Sequence, residues 1–281
     1  MNLRKINIFI FVLIILLTQN ILFAQEVAEF FPGGLNIEPF KANFLEPRMG
    51  FQFRISESDL RLDIGHSTDI VKYSTGSKLT FSLGADFFTF TKLRGEPDFH
   101  FPVDAVDYLF GFNFGVKKSM NGKELGARIR ISHISAHFVD GHFDPTNSVW
   151  RDGRKPIVYS REFLELMPYY QISNLRMYSG LTYIFHVVPK EIGKSIIHAG
   201  FEYKLLKVIG EKITPVFAYD FKLVRISKST GTNSLSAGIK FGNYDEAGLT
   251  LMYNYFAGYS IHGEYYDVIE KYSSLNINLE F

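Results

Sequence analysis

From residue 48 onward apolar and polar positions alternate one for one, in runs longer than an ordinary strand. In "DYLFGFNFGVK", Tyr108, Phe110, Phe112, Phe114 and Val116 share one side, and Asp107, Gly111, Asn113, Gly115 and Lys117 the other. "SIIHAGFEYKL" sets Ile197, Ala199, Phe201, Tyr203 and Leu205 against His198, Gly200, Glu202 and Lys204, and "SSLNINLEF" behaves alike. A period of two means strands with one dry and one wet face. The wet face carries charge and glycine, which does not suit a sandwich, whose strands also average only about six residues. Runs of roughly 9–13 residues are long enough to cross a bilayer at a tilt.

Twelve such strands are predicted, at 48–56, 59–72, 79–91, 106–117, 124–137, 157–172, 175–187, 195–206, 212–224, 232–241, 247–258 and 271–281. An even count is what a closed bacterial outer-membrane barrel requires. The connections agree: "STGSK", "SMNGK", "SN", "VIGE" and "NYDE" are tight, and they alternate with longer segments such as "FVDGHFDPTNSVWRDGRKP" and "YSIHGEYYDVIEK". With both termini periplasmic the long loops fall outside; the short first connection "SESD" is the exception. The expected fold is therefore an all-β, transmembrane, antiparallel up-and-down β-barrel of about twelve strands.

The amino-terminal residues break the pattern. Arg4 and Lys5 precede the apolar run "IFIFVLIILL", and "NILFA" ends at Ala24. A run this short is the core of a secretory signal and not a membrane span. We expect a signal peptide at 1–24, cleavage after Ala24 and export. Residues 25–47, with Pro32, Gly33, Gly34, Pro39 and Pro47, read as an irregular periplasmic lead-in that partly plugs the lumen of a barrel at 48–281.

Composition narrows the partners. A net charge of +1 gives no reason to expect nucleic acid, and the lack of cysteine excludes disulfide and thiolate-metal frameworks. Aromatic residues make up 16 % of a chain that is only 46 % hydrophobic. That pairing suits a sheet between lipid and water, so membrane lipids or lipopolysaccharide are the expected partners, with a small solute if the lumen is open. Nothing calls for a cofactor.

Several stretches together resemble the outer-membrane barrels grouped as domain-of-unknown-function family 1207. "FFPGGLNIEPFKANFLEPRMGFQF" is similar to that family's opening. "SHISAH" resembles its His-x-Ser-Ser-His stretch, at His133, Ser135 and His137. "VYSREFLEL" matches its Ser-Arg-Glu stretch at Ser160, Arg161 and Glu162. "YNYFAGYSIHGEYY" resembles its late signature, with Gly258, Ser260, Gly263, Tyr265 and Tyr266. Where the family follows its second His with Gly-Asp-Glu, this chain reads "FVDGHFD". The resemblance implies a barrel, export and location, but no activity. The terminal Phe281 likewise resembles the signal read by the barrel-assembly machinery.

The candidate chemistry lies in "RIRISHISAHFVDGH". Arg128 and Arg130 share one face, which must be the lumen, because arginine is costly against lipid. Ile129, Ile131, His133, Ser135 and His137 then face out. A His-x-Ser pair there resembles the outer-membrane phospholipase and lipid A deacylase, which keep such pairs on a lipid-facing wall. A serine nucleophile needs a base, and the base an orienting acceptor. If His137 pairs near Val158, counting back along antiparallel strands sets Ser135 near Ser160 and His133 near Glu162, so Ser135, His133 and Glu162 form the candidate catalytic set. A slip of one residue would turn Glu162 away. The resembling hydrolases follow their serine with Asn, where Ala136 stands here, and no second donor for an oxyanion is evident.

Metal binding is disfavoured: His133 and His137 are about 13 Å apart on a strand, and Asp140, His142 and Asp144 fit no oxygen-ligand loop. Arg161, Glu165, Glu202, Lys204 and Asp220 add mixed charge to the inner face, which reads as a lumen filled with ion pairs. The leading expectation is a non-enzymatic envelope barrel, structural or an occluded pore. A Ser/His lipid or acyl-ester hydrolase of the outer leaflet comes second, and a secreted soluble β-protein third.

Overall fold

Twelve antiparallel strands pair in chain order and the last closes on the first. They are β1 (Met49–Arg54), β2 (Leu60–Ser74), β3 (Leu79–Leu93), β4 (Val103–Met120), β5 (Lys123–Phe138), β6 (Tyr159–Ile172), β7 (Leu175–Val188), β8 (Ser195–Lys204), β9 (Ile213–Arg225), β10 (Ser229–Phe241), β11 (Gly248–Tyr259) and β12 (Ile269–Glu280). The computed structural model describes residues 27–281, so the expected signal peptide lies outside the described residues. Every strand lies within three residues of its predicted bounds.

The faces are inverted relative to a soluble protein. Phe110 and Phe112 are 52 % and 59 % exposed, while Arg130 and Glu165 on the inner face are 0 % and 1 % exposed. Apolar rings outward and charges inward is the arrangement lipid selects. Closure also lets neighbouring strands satisfy one another's backbone groups without water around nearly the whole circumference.

β1 is only six residues long and pairs with the first part of β2, Leu60 to Asp63. Farther along the same edge, Val27–Phe30 forms a short strand paired with Val71 to Ser74. The lead-in is therefore not wholly irregular, contrary to expectation. Four residues are too few to display a period, and an open edge recruits whatever backbone lies beside it.

The rest of the lead-in fills the lumen. Phe40 and Asn43 are fully buried, and Ile37, Leu45 and Glu46 nearly so. Arg128 grips Glu46, with Nη1 to Oε2 at 2.7 Å. Arg130 donates to the Leu45 carbonyl at 3.1 Å and pairs with Glu165 at 2.8 Å. Arg176 donates to the Glu38 and Pro39 carbonyls at 3.0 and 2.6 Å. The ring of Phe40 lies under two guanidinium groups, 5.1 Å from that of Arg128 and 4.6 Å from that of Arg176. Arg128 and Arg130 thus face the lumen as the alternation implies, and the arginines serve as anchors for the chain's own backbone.

The outer end is closed by the loop between β11 and β12. Asp107 accepts from His262 Nδ1 and from the Gly263 amide, both at 2.7 Å. Glu264, 2 % exposed, accepts from the amides of Phe138 and Ile157, each at 3.2 Å.

Candidate active site on the outward wall

Along β5 the outward face changes character. Ile129 and Ile131 are exposed apolar residues; the next three outward positions are His133, Ser135 and His137. On β6 the matching outward positions are Ser160 and Glu162, with Val158 immediately before the strand. The register pairs His133 with Glu162 and Ser135 with Ser160, as the count from the outer loop anticipates.

Glu162 is the hub. Its Oε1 lies 2.6 Å from His133 Nδ1 and accepts the Ser160 hydroxyl at 3.0 Å. Its Oε2 takes His186 Nδ1. The Phe110 ring, 5.0 Å from His133 on the side away from Glu162, limits the swing of the imidazole. The side chains of His133 and Glu162 are each 27 % exposed, on a wall otherwise covered by Ile, Leu and Phe. A polar cluster at such a depth is costly unless its members pair, and here they do.

With Glu162 taking the Nδ1 proton, His133 Nε2 carries the lone pair and can accept a proton. Ser135 sits two residues along the same face, about 6.6 Å away along the strand. No hydrogen bond joins Ser135 to His133 among the described residues, so the serine hydroxyl is uncommitted. Ser160, its cross-strand neighbour, is spent on Glu162.

His186 escapes sequence reasoning altogether. Strict alternation along β7 puts Ile184 and His186 on the inner face. A bulge between Ile184 and His186 resets the parity, so that Phe185 and His186 both face out and His186 falls opposite Glu162. A bulge re-aims a side chain in this way without leaving a mark in the hydropathy pattern.

The other family-motif residues play other parts. His137 lies against Tyr108, with ring centres 6.3 Å apart, and outside the Glu162 cluster. The Arg161 guanidinium covers the Phe163 ring at 5.7 Å. The Ser260 hydroxyl accepts from the His262 amide at 3.3 Å. A side chain at Gly258 would meet Thr232 at 2.4 Å, and one at Gly263 would meet the Tyr159 ring at 2.4 Å and the Ala136 methyl at 2.7 Å. Ala136 and Tyr159 are the inward-facing neighbours of Ser135 and Ser160. The Gly263 loop therefore backs the very stretch of wall that carries the cluster. Within it, burial raises Glu264 above the ordinary carboxylate value. Burial, with the nearby Lys92, Arg54 and Arg61 charges, holds His262 well below the ordinary imidazole value, hence neutral. No group of three His, Asp or Glu side chains among the described residues is arranged to hold a metal ion.

Residues 103–281 match the family described as "Protein of unknown function (DUF1207)". The chain belongs to this family. The match spans the candidate cluster and the outer loop behind it; the DUF1207 description assigns no activity. No curated protein matches the chain. Among solved structures, outer membrane phospholipase A from Escherichia coli aligns with a TM-score of 0.51 at 10 % identity, covering 86 % of this chain and 93 % of that one. The β-domain of the Bordetella autotransporter BrkA aligns with a TM-score of 0.41 at 12 % identity, over 83 % and 96 % of the two chains. The Pseudomonas putida toluene transporter TodX gives 0.42 at 10 % identity over 79 % and 69 %. At 10 % identity the likeness to the phospholipase is one of fold alone, that of an outer-membrane barrel.

Proposed function

We propose that the protein is a non-conducting outer-membrane barrel whose outward wall hydrolyses acyl esters of outer-leaflet lipids. The observation that carries this reading is the 2.6 Å contact between His133 and Glu162 on the lipid-facing wall, with Ser135 on the same face. In the reaction, His133 Nε2 takes the Ser135 proton as the hydroxyl oxygen attacks the ester carbonyl carbon. The bond to the lipid's alcohol oxygen breaks, and His133 returns the proton to that oxygen. Water, deprotonated by His133, then attacks the acyl carbon; the bond to Ser135 Oγ breaks, the acid leaves, and His133 returns the proton to Ser135. Glu162 holds the imidazole in the required tautomer and balances the imidazolium charge. His186 and Ser160 position Glu162.

The filled lumen supports the other half of the proposal. A second, non-enzymatic reading is favoured by one observation: all three donors around Glu162 are satisfied without Ser135, as in a merely structural polar patch. The test is acyl release from phospholipid or lipid A by refolded, heat-modifiable barrel. Release abolished by Ser135→Ala and by His133→Ala supports the hydrolase. No release, or release indifferent to both substitutions, returns the protein to the envelope-barrel reading.

A further inference from the structure

The filling of the lumen is uneven. The lead-in is tied chiefly to inner-face charges of β5, β7 and β9, namely Arg128, Arg130, Arg176 and Lys222. It leaves a chamber of about 440 Å³ on the side of β10, β11 and β12. One row outward of Asn254, Phe256 stacks on Tyr272 at 5.3 Å, and Phe44 of the lead-in meets Phe256 edge-on at 5.6 Å, which closes the outer end. The mouth lies at the other end, beside residues 244–247 in the short turn between β10 and β11. In an outer-membrane barrel the short turns are periplasmic, so the chamber is a blind recess entered from the periplasm.

Its wall is polar but uncharged. The ladders place Ser236 opposite Asn254, Thr250 opposite Asn278 and Met252 opposite Asn276, and directly opposed side chains sit about 5 Å apart. All six face inward, and all but Asn254 are buried. The Oδ1 atoms of Asn254, Asn276 and Asn278 have no hydrogen-bond partner. What bonds the wall makes run within the barrel, from Thr250 to the Asn278 carbonyl and from Asn276 to Gln52, both long at 3.5 Å. The charges around the recess are matched. Five basic and six acidic side chains line it, and one of the acids, Glu46, belongs to Arg128. Lys240 joins Glu280 at 3.0 Å, Lys41 pairs with the same carboxylate, and Arg176 pairs with Glu202 at 2.7 Å. An ion of either sign therefore finds no excess of partners.

We infer that this recess binds an uncharged mono- or disaccharide from the periplasm. Buried amides without protein partners must meet water or a solute. Each sugar hydroxyl both donates and accepts, as an Asn amide requires, and one sugar replaces several waters while keeping their hydrogen bonds. Its C–H face suits Val216 and Met252, which flank Gly238 across β9 to β11 and supply an apolar patch beside the amides. The volume falls within the roughly 300–1,000 Å³ of small-molecule sites. The recess lies inside the barrel, so the inference stands or falls independently of the hydrolase on the outward wall.

In the experiment, refolded, heat-modifiable barrel in lauryldimethylamine oxide, a detergent without a sugar head, is titrated in slightly acid buffer with glucose, maltose, glucuronate and glucosamine. Saturation-transfer difference NMR follows binding. Wild type should bind glucose or maltose saturably, and the two charged sugars several-fold more weakly. Asn254→Leu removes one amide and should weaken binding by about two- to tenfold, the worth of a single hydrogen bond. Ser236→Phe fills the recess and should abolish binding. Thr250→Val, nearly the same shape, tests the wall should the larger residue prevent folding, and it too should weaken binding. Absence of saturable binding by all four sugars overturns the site, as does binding indifferent to every folded variant. Glucuronate or glucosamine binding as tightly as glucose, or more tightly, overturns the assignment to an uncharged sugar.

Discussion

Replacing Glu46 by Gln should loosen the segment that fills the lumen. Glu46 is 2 % exposed, and it pairs in bidentate fashion with Arg128, itself 4 % exposed. Removing one partner of a buried pair strands the other charge, at a cost of about 3–5 kcal/mol. Here the lower end applies, because Arg128 keeps Glu165 at 3.6 Å and Gln retains an acceptor of the same size. About 3 kcal/mol corresponds to a rise of roughly a hundredfold in the population with the segment displaced. Trypsin can report that population, since Lys41 and Arg48 lie in the segment and are shielded only while it is seated. Where displacement is fast relative to cleavage, the rate follows the displaced fraction. Glu46→Gln should therefore be cut about a hundredfold faster in folded barrel, with brief conductance events in planar bilayers where wild type is silent. Replacing Glu46 and Arg128 together by Met should restore resistance, because removing both charges leaves neither unpaired. A cleavage rate unchanged by Glu46→Gln would refute the claim that this pair holds the segment in place.

Burial raises Glu46, but the charge and hydrogen bonds of Arg128, with Arg130, outweigh it and hold the carboxyl below its ordinary value of 4.5. Since the folded value is the lower one, the pair's contribution is complete above pH 4.5 and is lost as pH falls through the lowered value, so wild-type conductance should appear only in strong acid and Glu46→Gln should lack that step. Glu162→Gln should cut acyl release by about a hundredfold or more while leaving heat-modifiable migration intact; unimpaired release would remove Glu162 from the mechanism. His186→Ala should lower kcat by a few-fold and shift the pH profile of kcat/KM, since it changes only how Glu162 is held; a loss equal to that of His133→Ala would make it the base instead. Gly263→Ala should destabilise the barrel by about 1–3 kcal/mol in urea unfolding, as the new methyl meets Tyr159 and Ala136 at 2.4 and 2.7 Å.

The barrel is legible because lipid enforces alternation over the whole length of each strand, as in Tyr108 to Val116. The pairing of His133 with Glu162 is legible for the same reason. Once both strands have known faces, only registers differing by two residues compete, and the long outer loop sets which of them applies. His186 is hidden because a single bulged residue inverts the parity that makes the rest readable. The lead-in's seat is hidden because, apart from the Arg128–Glu46 pair, its anchors meet uncharged groups: Arg130 and Arg176 hold backbone carbonyls, and Lys222 Nζ holds the Asn43 side-chain amide at 2.5 Å. Such partners carry no residue-type signal. The outer loop is held largely through backbone amides, Gly263 on Asp107 and Phe138 and Ile157 on Glu264, so "HGEYY" reads as solvated loop although it folds inward.

The seam between β12 and β2 has two occupants on the β2 side: β1 over Leu60 to Asp63, and Val27–Phe30 over Val71 to Ser74. The chain leaves that edge where the Phe31 amide meets the Ile70 carbonyl, and by Asn36 it is tied to Asp69 on the inner face. Residues 31–48 thus run from the seam into the interior and back to the first strand. One edge of β2 thus carries both the wall and its filling: Leu60 to Asp63 hold the strand that closes the barrel, and Val71 to Ser74 moor the start of the segment that occupies it. Seam and stopper share a single stretch of covalent chain, so a strain that opens one pulls on the other.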